Sequence, residues 1–89
     1  MLRINFANLD QILTFDGEVL EVFYGTKSTR VHIGHIQNIE VATDHKGKQE
    51  LHIETKFGAV PYMPLELSLI PQVNELVSEV RNAMATFRF

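Results

Sequence analysis

The last nineteen residues constrain the fold of this chain most. Between Pro71 and Phe89 the apolar positions are Val73, Leu76, Val77, Val80, Ala83, Met84 and Phe87. Their spacing follows i, i+3, i+4 and i+7, the stripe of an amphipathic helix. Most of the chain upstream alternates apolar and polar residues with the period of two that marks half-buried strands. A run of short strands followed by one C-terminal helix predicts a mainly β fold in which the helix supplies a packing layer.

The strand pattern resolves into six or seven segments. Leu2–Phe6 alternates cleanly, and Gln11–Phe15 follows a turn at Asn8–Asp10. Asp16-Gly17 then predicts a two-residue hairpin turn, because this pair tolerates the positive φ angles of type I′. Glu18–Tyr24 places Leu20, Val22 and Tyr24 on one face and Val19, Glu21 and Phe23 on the other. Gly25–Ser28 reads as a turn, Thr29–Ile33 as the next strand, and Gly34 as a bulge or corner. Ile36–Thr43 and Gln49–Phe57 flank the polar loop Asp44–Lys48. In the latter strand Leu51, Ile53, Thr55 and Phe57 share the inward face. Ala59–Met63 closes the set, with Pro61 confining it to an edge or shortening it. Ser68 is the expected N-cap of a helix over Leu69–Phe87, about 28 Å long at ~1.5 Å per residue.

Eighty-nine residues, 45% of them hydrophobic, predict one domain over 1–89. The formal charge of −3 and the scatter of the eight Lys and Arg argue against nucleic acid and against polybasic membrane attachment. The chain has no cysteine, so thiolate catalysis, disulfides and cysteine-ligated metals are excluded. Residues 1–10 carry no apolar leader core, and no run is long enough to span a bilayer. The expectation is a soluble, cytoplasmic protein.

No pattern of enzymatic residues emerges. His32 and His52 fall on the outward parity of their strands, and His32 and His35 would point to opposite faces of an extended chain. Neither spacing matches a zinc motif. Glu50 and Glu54 share a face but lie roughly 13 Å apart at ~3.3 Å per residue, beyond a glycosidase pair. The expectation is no catalytic, cofactor or metal site. The candidate functional surface is instead apolar: Val19 and Phe23 on the outward parity of one strand, with Phe87 and Phe89 at the C-terminus.

The sequence Leu-Thr-Phe, Asp16-Gly17, Glu-Val-Leu-Glu-Val-Phe-Tyr-Gly, then Thr-Arg-Val-His-Ile, then Ile36-Gln-Asn-Ile39, then Leu-His-Ile-Glu-Thr and a final helix resembles the small bacterial pleckstrin-homology-like (PH-like) domains. The resemblance covers about Gln11 to Phe87. It implies a partly open barrel of six or seven antiparallel strands capped by the helix. Phosphoinositide-binding PH domains carry basic residues around the first hairpin loop, where this chain has Asp16, Gly17 and Glu18. The resemblance therefore implies a scaffold without that headgroup site. The functional expectation is a non-enzymatic binding or scaffold domain acting through protein contacts, with a second copy of itself as the expected partner. The alternative is a carrier that holds a lipid or small molecule at the open end of the barrel.

Overall fold

The structure, a computed structural model, describes residues 2–6 and 10–87, and of residues 61 and 62 the backbone alone. Seven strands and a helix follow one another: β1 (Leu2–Phe6), β2 (Gln11–Phe15), β3 (Val19–Tyr24), β4 (Lys27–His32), β5 (Ile36–Thr43), β6 (Gln49–Thr55), β7 (Gly58–Pro64) and α1 (Ile70–Thr86). They form two antiparallel meanders, β1-β2-β3-β4 and β5-β6-β7. The mainly β architecture with one C-terminal helix is as the periodicities predict. Among the described residues, the sheets do not join into a closed barrel.

Local chemistry explains the turns. Asp16 accepts the Glu18 and Val19 amides on Oδ1, both at 2.8 Å. The β2–β3 turn is therefore centred on Gly17-Glu18, one residue later than expected. Only Gly17 takes a positive φ, 108°, at the first central position, where a type II′ turn needs its glycine. The β3–β4 turn is only Gly25-Thr26, so β4 starts at Lys27 and Ser28 belongs to the strand. Asp10, which is described from the expected first turn, has φ 52°.

Gly34 does mark a corner. Ile33–His35 form one turn of 3-10 helix, and the His32 Nδ1 accepts the Gly34 amide at 3.0 Å. That turn carries the chain from the first sheet to the second. Strand β7 is an edge of its sheet, as Pro61 requires, and it is not shortened. Two of its residues, 61 and 62, stand opposite His52 alone, a bulge that accommodates a residue without an amide donor.

Both sheets turn their apolar parity inward onto the helix. Leu13, Leu51, Ile53, Val73, Leu76 and Val80 are 0% exposed. Burying each such aliphatic side chain contributes about 1.5–3 kcal/mol. Val77 is buried too, whereas Met84 is only half-buried at the far end of the helix. The expected Ser68 cap is absent. A 3-10 turn over Leu67–Leu69 leads directly into α1, with Pro71 in its first turn and no side-chain cap.

Phe57 breaks the expected parity of β6. It is 81% exposed rather than inward. The strand stops at Thr55, whose Oγ1 accepts the Phe57 amide at 3.1 Å and donates to the Gly58 carbonyl at 2.7 Å. Lys56 and Phe57 thus form the tip of a hairpin, where strand alternation no longer applies.

Candidate functional site

On the first sheet, strand register sorts the outward side chains into rows. Asn5, Ile12, Phe23 and Ser28 form one row; Arg3, Thr14, Glu21 and Arg30 form the next; Val19 stands beside His32 in the third. Phe23 is 37% exposed. With Ile12, Asn5, Asp10 and Gly25 it lines a depression of about 330 Å³. Val19 is half-buried and lies two rows away, behind the Glu21–Arg30 pair at 3.9 Å. Strand alternation thus puts both residues on one face without making them one patch. Strand β3 also has no free edge, since β2 and β4 pair along both its sides. Only the outward face of β3 therefore remains available to a partner.

Phe87 lies near Val19 rather than Phe23. Its ring meets that of His32 edge-on at 5.0 Å, and it packs on the core. Phe89 lies outside the described residues. The His32 ring stands 6.3 Å from that of His35, and His35 lies 5.1 Å from Phe57, both edge-on. The two histidines are neighbours because residues 33–35 coil instead of extending. They build an aromatic row with Phe57 and Phe87. Among the described residues, no group of three or more His, Asp or Glu is placed to hold a metal ion. Glu50 lies 3.8 Å from His52 on the outer face of the second sheet.

A larger concavity than the Phe23 depression lies at the other end of the molecule. Phe6 at the end of β1, Pro64 and Leu65 after β7, Leu67, and Leu69 and Ile70 at the start of α1 line a cleft of about 670 Å³. Gly47, Lys48 and Gln49 of the β5–β6 turn and Glu66 complete it. The turn is held in place by Asp44, whose Oδ1 accepts the Lys46 and Lys48 amides at 2.8 and 2.9 Å. Leu65 N–H donates to the Gln49 carbonyl at 2.9 Å, tying the segment after β7 to β6. Leu67 is 86% exposed and forms part of the cleft wall. Sequence reasoning passed over this site. Its one signal is a pair of leucines, Leu65 and Leu67, in a connection that belongs to neither the strand period nor the helix period.

The structure changes the acidity of Asp16. The Val19 amide, then the Glu18 amide, hold its carboxyl below the usual carboxylate range. It keeps a negative charge at the tip of the first hairpin, beside Glu18. Among the described residues, no helix is long and apolar enough to cross a membrane.

The chain matches no protein-family model, no curated protein and no solved structure.

Proposed function

We propose that this chain is a non-enzymatic, PH-like binding module that works through protein contacts and pairs with a second copy of itself. The fold class supports the scaffold part of this reading: two antiparallel meanders followed by a packed helix. One observation carries the self-association. Leu67, 86% exposed, stands in the wall of an apolar cleft of about 670 Å³. A knob beside a hole on one surface is self-complementary under a two-fold axis. Leu67 of each copy would enter the cleft of the other, next to Leu69 and Ile70. Lys48 and Glu66 give the same rim one charge of each sign.

The test is the molar mass by light scattering at tens of micromolar, for wild type, Leu67→Glu and Phe23→Glu. A wild-type dimer that Leu67→Glu converts to folded monomer supports the reading. A wild-type monomer overturns it. If Phe23→Glu alone dissociates the dimer, the contact is the outer face of the first sheet and the cleft reading fails.

The cleft volume also falls in the range of small-molecule pockets, ~300–1,000 Å³. That favours a carrier as the second reading, with an apolar ligand between Phe6 and Ile70. Mass spectrometry of the intact native protein distinguishes it: a retained small molecule, lost on denaturation, favours the carrier.

A further inference from the structure

The edges of the two sheets are treated unequally. On the second sheet, β5 is covered by α1, from which Arg81 Nε reaches the Ile39 carbonyl at 3.1 Å. Strand β7 is bulged opposite His52. On the first sheet β4 pairs with β3 on one side, and among the described residues no strand pairs with its other side.

The direction of the β4 backbone groups follows from the ladder. The Ile33 amide donates to the Glu18 carbonyl at 2.9 Å, so Glu18 and Ile33 are a hydrogen-bonded pair. Such pairs alternate along an antiparallel ladder. Val31, Thr29 and Lys27 therefore bond to β3, and the N–H and C=O groups of Ser28 and Arg30 point to the open side. Beside that edge, on the inner side, lies a depression of about 200 Å³ between Tyr24 and Thr29 on one wall and Thr55, Phe57 and Val60 on the other. The Tyr24 and Thr29 hydroxyls are hydrogen-bonded to each other. Phe57 gives that depression an exposed aromatic rim.

We propose that the free edge of β4 docks an extended acidic segment of a partner protein, which adds a fifth strand to the first sheet. Main-chain bonds to Ser28 and Arg30 would supply the register, as in strand addition generally. Charge chooses the partner. Lys27 is exposed, and the Arg30 side chain is 67% exposed on the outer face. An antiparallel second β4 would set Arg30 opposite Arg30 or, paired across Thr29, diagonal to it, and it would bring no carboxylate to this edge. Arg30 already lies 3.9 Å from Glu21 and stays 67% exposed, so a segment with carboxylates on its outer face gives it a second acidic neighbour. Apolar residues on its inner face would cover the depression next to Phe57. The period of such a segment is two.

The probe is a synthetic peptide alternating Glu with Val and Thr, beside its Lys-for-Glu counterpart and a version N-methylated at every second residue. Binding is read by amide chemical shifts of the folded full chain and by fluorescence anisotropy. The acidic peptide should shift the amides of Ser28, Arg30 and their neighbours, and Arg30→Glu should weaken it at least tenfold. Raising the salt should weaken it too, since the charges are exposed. The basic peptide and the N-methylated peptide should each bind at least tenfold more weakly. Leu67→Glu should leave the affinity unchanged, which separates this edge from the cleft proposed for self-association. Equal binding of the acidic and basic peptides overturns the proposal. So does insensitivity to N-methylation, or an absence of shifts at β4 with the peptide at millimolar concentration.

Discussion

Arg81 on α1 donates from Nε to the carbonyl of Ile39 on β5 at 3.1 Å, across 42 residues of chain. This bond ties α1 to the edge of the second sheet. It satisfies a main-chain acceptor with which, among the described residues, no strand pairs, and it helps close that edge to other chains. Replacing Arg81 with Ala should destabilise the fold by about 1 kcal/mol, the usual net worth of a partly buried hydrogen bond. Arg81→Lys should restore only part of that, because lysine has no donor at the same reach and no planar fork. Urea unfolding of the three proteins checks this. Equal midpoints would show that the helix holds the edge by packing alone.

Leu76 is fully buried between Val73, Val77 and Val80 on the inner face of the helix. Leu76→Ala should cost about 2–5 kcal/mol, the range for deleting a buried leucine side chain. That is a large share of the stability of a domain this size. Chemical denaturation measures it, and a loss under ~0.5 kcal/mol would place the helix outside the cooperative core.

The Asp16 carboxylate is stabilised in the fold by the amides of Val19 and Glu18. Its acidity is therefore greater in the folded chain than in the unfolded one, where an aspartate titrates near ~3.9. The sign follows by linkage. The contribution is present in full above the unfolded value and is lost as pH falls through the lower, folded value. Asp16→Asn should flatten the acid limb of the stability profile and leave its alkaline side parallel to wild type. Unfolding midpoints between acid and neutral pH test this, and an identical acid limb would remove Asp16 from the account.

The same hairpin bears on membranes. Asp16 and Glu18 place two acidic groups at the tip, and the net charge is −3. A phosphorylated headgroup would meet repulsion there. Sedimentation with phosphoinositide-containing vesicles at ~0.15 M salt, where the screening length is ~8 Å, should leave the protein in the supernatant. Selective pelleting with those vesicles would mean that a basic site elsewhere, such as Lys27 and Arg30, overrides the hairpin.

Much of this fold was legible in the residues themselves. The alternation of Leu20, Val22 and Tyr24 with Val19, Glu21 and Phe23 set which face of that strand is buried. The stripe of Val73, Leu76, Val77 and Val80 set the inner face of the helix. Gly34 signalled the corner, and Pro61 signalled an edge. These are local properties, because a period or a restricted φ is written in consecutive residues.

Tertiary structure decided what those periods do not encode. A period of two assigns a face to each side chain but names no neighbouring strand, so only the pairing showed that β3 is interior and that, among the described residues, no strand lies beyond β4. The end of a strand depends on competing side-chain bonds. Thr55 ends β6 early, and that puts Phe57 in solvent beside His35. The cleft walled by Leu67 needs Phe6, the β5–β6 turn and the start of α1 together, segments far apart in sequence. Such a surface exists only once the sheets and helix have packed. Its two leucines, read along the chain, look like an ordinary connection.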